Sequence, residues 1–299
     1  MRLDDLRPTE NVDDRRGQGG GFGGGGFGGR HIAIGGGGLG LVAFIVIALL
    51  ANGGDVGGLL NQMTSDQGGG LPYGPGQTQS QPASQEDQAA FEFSRKIIGS
   101  TEDVWTQILA KRGIQYQPAT FTPFTQYTQT GCGEGEAVMG PFYCPNDHRV
   151  YIDLAFFNEL ATRFGAPGQF AQAYVLAHEI GHNVQNILGT MDKASGLSGG
   201  RSSGATGSSV RLELQADCYA GVWAYNANRQ FHILETGDVE QGLAAATAVG
   251  DDTLQKETEG RVAPDTFTHG TSEQRVRWFR RGLSTGDMDQ CDTFGARTL

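Results

Sequence analysis

The sequence predicts an α+β protein, and two patterns support this fold class. Apolar residues recur at helical intervals in residues 86–112 and through most of residues 155–283. Short stretches with partial alternation, interrupted by Pro, Gly and Thr, occupy residues 116–154. Glycine is concentrated in residues 17–40 and 53–76, which cannot contribute to a packed core. We therefore expect a small antiparallel sheet ahead of a helical half.

The N-terminal part predicts a tail followed by one membrane span. Residues 1–30 are polar and glycine-rich, which indicates a disordered tail. Residues 32–51 contain no charged side chain, and a helix over residues 31–52 can cross about 30 Å of hydrocarbon. Three arginines between residues 15 and 30 precede the span, which predicts a cytoplasmic tail and an extracytoplasmic body. The alternative is a cleaved signal peptide ending at Val46–Ala48, for which the leading segment is long.

A flexible linker rich in Gly, Gln and Pro is predicted at residues 53–85, before a folded domain at residues 86–299. Five arginines and five acidic residues cancel within the first 50 positions, so the net charge of −11 resides in the rest of the chain. An acidic body gives no reason to expect a nucleic acid as partner.

The elements of the domain follow in order. The stretch "EDQAAFEFSRKIIGSTEDVWTQILAKRG" predicts helix with a break at Gly99 and Ser100. The sheet comes next, including "RVYIDLAF". Further helices are predicted at residues 155–164, 169–188, 209–231, 238–256 and 272–283. A mobile loop is expected at residues 194–209.

The four cysteines form no CxxC pair and predict up to two disulfides in an oxidising compartment. Three pairings are possible. Cys132 with Cys144 is favoured because that bridge would close the loop "CGEGEAVMGPFYC", and Cys218 with Cys291 would then tie the C-terminal tail to a helix. The alternative is reduced, buried thiols.

The stretch "AHEIGH" carries His178 and His182, four residues apart on a predicted helix. At this spacing both imidazoles project from one face and can reach a single Zn²⁺ at about 2.0–2.1 Å. Glu179 has the position of the glutamate that, in HExxH enzymes, takes a proton from zinc-bound water. The alternative is two core histidines bonded to carbonyl groups, which a missing third ligand would favour.

Three possibilities exist for the third ligand. The extended pattern HExxHxxGxxH is excluded, because Gln185 and Leu188 replace its Gly and third His. Asp192 of "GTMD" is one residue short of the spacing that a "GTxxD" turn requires. Glu213 and Asp217 of "ELQAD" face the same way on a later helix, so one could bind the metal while the other accepts the free N–H of a ligand histidine.

Together "HEIGH", "ELQADCYAG", "THGTSEQR" and "CDTF" resemble the bacterial "putative neutral zinc metallopeptidases", single-pass membrane proteins related to the gluzincins. The resemblance also includes the opening "MRLDDLRPTENVDDRRG" and "TGCGEGEAVMGPFYCPNDHRVYIDLAFF". It implies a zincin-like fold and a Zn²⁺ cofactor. The residues it implies are the ligands His178, His182 and Glu213, the general base Glu179, and Asp217 behind the ligands.

Gluzincins use a distant His, Tyr or Arg to stabilise the oxyanion, and His269 is the candidate for that role. It precedes a helix that Thr271 or Ser272 could cap. The alternative is a loop histidine bonded to local backbone. Arg275 is a weaker candidate that we expect to pair with an acid, and His148 and His232 are expected to be surface or structural residues.

We therefore expect a zinc metallopeptidase anchored in the bacterial cell membrane through residues 31–52, with its catalytic domain outside the cytoplasm. Its partner would be a peptide or protein substrate, and "EAVMGPFY" could provide a strand edge for an extended peptide. Two alternatives are a membrane-tethered assembly or scaffold protein with structural zinc, and an amidase acting on cell-wall peptide.

Overall fold

The computed structural model describes residues 1–17, 84–196 and 202–299, which have an α+β architecture. The predicted transmembrane helix at residues 31–52 lies outside these residues, as does nearly all of the linker at residues 53–85. Among the helices that are described, none has both the length and the apolar character needed to span a membrane.

The first helix of the domain, α1 (Gln85–Ala110), begins where the sequence predicts. Ser84 caps it, since its hydroxyl accepts the N–H of Asp87 at 3.0 Å. The predicted break at Gly99 and Ser100 is wrong, because both residues are buried within one continuous helix. Tertiary packing outweighs the cost of about 1 kcal/mol that a glycine imposes on a helix interior.

Two small sheets follow α1. Their strands are β1 (Thr120–Phe124), β2 (Tyr127–Thr130), β3 (Gly133–Glu136), β4 (Phe142–Cys144) and β5 (Arg149–Asp153). The first sheet has the order β1-β5-β4, with β1 parallel and β4 antiparallel to β5. The prediction of a wholly antiparallel sheet is therefore wrong in part. The chain makes the antiparallel β2–β3 ribbon and β4 before β5 returns beside β1 in the same direction.

The helical half contains seven described helices. They are α2 (Phe156–Thr162), α3 (Gln169–Ile187), α4 (Thr190–Gly196), α5 (Ser208–Phe231), α6 (Asp238–Ala248), α7 (Asp251–Glu259) and α8 (Ser272–Thr285). One predicted helix at residues 238–256 is thus two, because Gly250 ends the helical conformation and caps α7. Helix α4 also extends into the predicted loop at residues 194–209.

Helix α5 lies at the centre of this half and contacts both α3 and α8. Helices α5 and α8 approach closely at two glycines. A Cβ added at Gly282 would overlap the carbonyl oxygen of Cys218, and one at Gly221 would overlap that of Phe279. The disulfide Cys218–Cys291 holds the C-terminal turn against α5, and the disulfide Cys132–Cys144 joins the β2–β3 turn to β4.

Residues 1–17 differ most from the sequence expectation. They pack on the domain, with Leu6 5% exposed and Thr9 fully buried. The prediction of a disordered tail is wrong for these residues, and residues 18–30 lie outside the described part of the chain. Composition suggested disorder because the segment is polar, but its polar side chains bond to partners in the domain, as Thr9 does with Glu102.

Candidate metal centre

The site is built where α3 crosses α5. The central part of α3 is buried on all sides, including His178, Glu179 and His182. At Gly181 an added Cβ would lie 3.0 Å from the carbonyl oxygen of Ala216 on α5. This close approach of the two backbones brings the histidines of α3 against the carboxylates of α5.

Three side chains converge at the crossing. The Nε2 atom of His178 lies 3.1 Å from Glu213 Oε2, and the Nε2 atom of His182 lies 3.5 Å from Glu213 Oε1. All three ligand atoms lie within 4.8 Å of one another. Ligands of a tetrahedral zinc ion at their usual bond lengths are separated by about 3.3–3.5 Å. The separations therefore suit a zinc ion.

The chemistry of this group also fits zinc, which binds imidazole nitrogen and carboxylate oxygen, and three protein ligands are typical of catalytic sites. All three side chains are buried. Throughout residues 1–17, 84–196 and 202–299, no other group of three or more His, Cys, Asp or Glu residues could hold a metal ion. Asp192, the runner-up as third ligand, is exposed on α4 and does not belong to the group.

His178 is oriented by a buried carboxylate. Its Nδ1 atom lies 2.8 Å from Asp217 Oδ1, so an N–H donated there leaves Nε2 free for a metal. Asp217 is itself held by Arg275, whose guanidinium donates to both carboxylate oxygens at 2.8 and 2.9 Å. The hydroxyl of Tyr174 donates to Asp217 Oδ1 at 2.5 Å. Arg275 thus pairs with an acid, as the sequence predicts.

His182 is oriented by a neutral amide. Its Nδ1 atom lies 2.8 Å from Gln185 Oε1, one helical turn away on α3. The amide nitrogen of Gln185 donates to the carbonyl oxygen of Leu212 at 2.7 Å and to Gln215 Oε1 at 3.1 Å. This fixes the direction of the amide, so the Nδ1–H of His182 is donated to Gln185 and its Nε2 faces Glu213.

The electrostatics follow from these partners. Burial lowers the pKa of His178, but Asp217 and Glu213 outweigh burial and raise that pKa to about 10. Burial raises the pKa of Asp217, but Arg275 and His178 outweigh burial and lower it to about 2. For Glu213, burial again acts upward, and the two histidines bring its pKa well below the usual range. The carboxylates of Asp217 and Glu213 therefore remain ionised at neutral pH.

Glu179 lies beside the group without belonging to it. Burial raises the pKa of its carboxyl group and Glu213 adds to this, against the lowering effect of the two histidines. The backbone N–H of Tyr143, on the edge strand β4, donates a hydrogen bond to this carboxylate. A buried carboxyl with a raised pKa suits proton transfer better than metal binding.

His269 is brought to the same region by a second acid. Its Nδ1 atom lies 3.0 Å from Asp251 Oδ1, and Asp251 Oδ2 accepts the backbone N–H groups of Thr268, His269 and Gly270 at 2.7–3.0 Å. Burial lowers the pKa of His269, and Asp251 and Glu213 together raise it. The side chain is 20% exposed, so it can reach a bound molecule.

The structure thus brings together five of the residues predicted from the sequence: His178, Glu179, His182, Glu213 and Asp217. His148 is exposed on the turn before β5, and His232 ends α5. Sequence reasoning missed Gln185, Tyr174 and Asp251 as supports of the site. For Gln185 a signal was present, because it is three residues after His182 on the same helix.

Comparison with known proteins agrees with this geometry. A sequence model of the family described as "putative neutral zinc metallopeptidase" matches residues 1–294. The chain belongs to this family. The match includes residues 1–17, which pack on the domain, as well as the residues of the metal centre.

Two relatives show the extent of the similarity. "Uncharacterized protein YpfJ" of Escherichia coli K12 is 45% identical over 298 residues, covering 99% of both chains. "Uncharacterized protein Rv2575" of Mycobacterium tuberculosis H37Rv is 43% identical over 257 residues, covering 82% of this chain and 84% of the relative. No solved structure matches the chain significantly.

Proposed function

We propose that this chain is a zinc-dependent endopeptidase with a zincin-like active site. The observation that carries the proposal is that α3 provides two metal ligands and, beside them, a carboxylate that is not a ligand. His178 and His182 converge with Glu213 on one point, while Glu179, buried beside them, is left out of the ligand group. This arrangement provides a metal site with an adjacent base, which a purely structural site does not need.

The residues of the chain supply proton transfer and orientation. Zinc, when bound, would polarise a peptide carbonyl and make a water molecule more acidic. Glu179 takes a proton from the attacking water, which its raised pKa favours, and then delivers that proton to the leaving nitrogen. Asp217 and Gln185 hold the two imidazoles in the tautomer that leaves Nε2 available.

His269 is proposed as the group that stabilises the developing oxyanion. Its Nδ1 is engaged by Asp251, which leaves Nε2–H as the donor toward a substrate oxygen. The raised pKa of the imidazole favours the protonated form of that donor. The charges of His269 and Glu213 shift each other's pKa, which supports a role for this imidazole near the ligand group.

The substrate is proposed to run along β4. This strand is an edge of the three-stranded sheet, and the backbone of Tyr143 contacts Glu179. An extended peptide that pairs with an exposed strand edge gains main-chain hydrogen bonds and presents successive carbonyl groups at a fixed spacing. The two disulfides favour an oxidising compartment, so we propose a substrate outside the cytoplasm.

The test is a digest of a broad peptide library by the zinc-loaded full chain and by its Glu179→Gln variant. We expect the variant to retain zinc and to lose cleavage, because it keeps the ligands and lacks the base. Glu257→Gln, at an exposed position on α7, is the matched control and should cleave like the wild type. Cleavage by Glu179→Gln at the wild-type rate would exclude this mechanism.

Cross-linked cell-wall peptide in the same assay would identify an amidase. A scaffold protein with structural zinc would instead cleave nothing and show no exchangeable water on its metal.

A further inference from the structure

Residues 1–17, called here the N-terminal segment, extend the three-stranded sheet at its β1 edge. The N–H of Phe121 donates to the carbonyl oxygen of Asn11, and the N–H of Asp13 donates back to the carbonyl oxygen of Phe121, both at 2.9 Å. The N–H of Arg15 donates to the carbonyl oxygen of Pro123 at the same distance. The segment runs parallel to β1 and covers an edge that would otherwise be unpaired.

Helix α1 is adapted to this segment by a buried carboxylate. Glu102 is 7% exposed. Its Oε1 accepts the hydroxyl of Thr9 at 2.5 Å, and its Oε2 lies 2.9 Å from the guanidinium of Arg7. A buried charge is costly without partners, and the segment supplies both of these.

Gly99 is a second adaptation of α1. A Cβ added there would overlap the carbonyl oxygen of Arg7, because the segment passes directly over the helix. A glycine in the middle of a helix is unfavourable relative to alanine. This close contact explains why glycine, and no larger residue, occupies position 99.

The arginines that precede the apolar stretch also bond to the domain. Arg16 is 2.9 Å from Asp87 of α1, and its guanidinium lies 3.9 Å from the ring centroid of Phe91. Arg15 donates to the carbonyl oxygen of Gln129 at 2.7 Å. These two side chains were counted above as signals for a cytoplasmic N-terminus, but here they serve as docking groups.

We propose that the N-terminal segment and the domain formed by residues 84–299 lie in the same compartment, packed together within one chain. The apolar stretch at residues 32–51 then does not place them on opposite sides of a membrane. Hydrogen bonds of 2.5–3.0 Å cannot form across a hydrocarbon layer of about 30 Å. This inference replaces the topology predicted from the sequence, and it is independent of the proposed peptidase activity.

The first test is the accessibility of single cysteines in the full-length protein in cells. Glu10→Cys reports on the segment and Arg261→Cys on the domain, both at exposed positions. The native cysteines are all paired in disulfides. A membrane-impermeant maleimide is applied to spheroplasts and, in parallel, to permeabilised cells. We expect both positions to label under the same conditions. Labelling of one in intact spheroplasts and of the other only after permeabilisation would overturn the proposal.

The second test traps the docked segment directly. Asn11 Oδ1 and Thr120 Oγ1 are 3.2 Å apart, so the pair Asn11→Cys and Thr120→Cys should form a cross-link within one chain on mild oxidation. Asn11→Cys with Arg261→Cys is the control pair and should not. A cross-linked species with the mass of a dimer, or equal cross-linking by both pairs, would overturn docking within one chain.

Gly99→Ala then tests whether the fit to α1 holds the segment in place. We expect the backbone N–H groups of Asp13 and Arg15 to exchange with deuterium about tenfold faster, because exchange follows the undocked fraction and a cost of about 1.4 kcal/mol raises that fraction tenfold. Gln107→Ala, at an exposed position on the same helix, should leave the rate unchanged. An unchanged rate in Gly99→Ala would contradict the close packing. The maleimide test decides the compartment even if this variant folds poorly.

Discussion

Asp217 and Asp251 each bond to the Nδ1 atom of an imidazole, in His178 and in His269, and the two pairs are held in different ways. Asp217 faces His178 from within the core and is held mainly by side chains, those of Arg275 and Tyr174. Asp251 faces His269 near the surface and is held mainly by backbone N–H groups. Both acids keep a pKa below the ordinary value, although burial acts on both in the opposite direction.

The difference reflects what each imidazole must do. His178 is on a helix that is already rigid, so Asp217 needs only to orient a ring, and Arg275 supplies the countercharge that its burial requires. His269 is on a loop, and Asp251 folds that loop by accepting three consecutive N–H groups. Under the proposed function, Asp217 would support a metal ligand, whereas Asp251 would position a group that acts on the substrate.

The largest expected effect comes from breaking the Asp217 pair at Arg275. Arg275→Met removes the countercharge from a fully buried carboxylate. We expect the free energy of unfolding to fall by about 3–5 kcal/mol, the range for removing one partner of a buried ion pair. Urea unfolding of the metal-free protein, followed by circular dichroism, measures this change without a contribution from zinc binding.

Glu273→Gln is the control, because Glu273 is on the same helix, is exposed and pairs with Arg277 at 2.6 Å. An exposed ion pair contributes less than about 1 kcal/mol. If both variants lost the same free energy of unfolding, the burial of Asp217 would not be what makes its ion pair with Arg275 more stabilising than an exposed one.

The second effect concerns the other imidazole. His269→Ala should leave zinc binding intact and reduce peptide turnover by about 10²–10³-fold, the range for removing one donor to an oxyanion. Peptide turnover and the zinc content of the same sample measure both quantities. His232→Asn, at an exposed position whose left-handed backbone asparagine tolerates, is the control. Loss of zinc together with activity in His269→Ala would place His269 among the supports of the metal and erase the distinction between the two pairs.

Part of this site could be predicted from the sequence, because spacing on one helix fixes which side chains share a face. His178 and His182 are related in this way, as are Glu213 and Asp217. Spacing could not decide which carboxylate binds the metal. That depends on where α3 crosses α5, and the contact of Gly181 with Ala216 sets this crossing.

The docking of the N-terminal segment, by contrast, could not be predicted from its sequence. Its composition resembles that of a disordered tail, and nothing in its own sequence indicates a partner. The signal lay elsewhere, in a glycine and a buried glutamate of α1 that the helical pattern alone does not explain. The sequence pattern predicts a helix break at Gly99, whereas this glycine is the point of contact with a segment about 90 residues away along the chain.

The third prediction sharpens the comparison without removing a side chain. Asp217→Asn keeps the shape of the residue and removes its charge, and we expect zinc affinity to fall about 10–100-fold. Competition with a chelator at fixed pH measures the affinity. Asp251→Asn makes the same chemical change in the other pair and should leave zinc affinity unchanged while lowering turnover. A similar loss of zinc affinity in both variants would contradict the separate roles.

The smallest effect tests whether charge or orientation matters more behind the ligands. His178 has an ionised partner and His182 a neutral one, Gln185. Gln185→Met preserves the bulk of the side chain and removes the acceptor, and a lost hydrogen bond of about 1 kcal/mol corresponds to an affinity loss of about fivefold. The chelator competition used for Asp217→Asn gives a direct comparison. We expect the amide of Gln185 to contribute less to zinc affinity than the carboxylate of Asp217. Only the carboxylate also makes its imidazole more basic and therefore a stronger ligand of the cation. A loss in Gln185→Met as large as that in Asp217→Asn would mean that fixing the direction of each ring, and not the buried charge, determines zinc affinity.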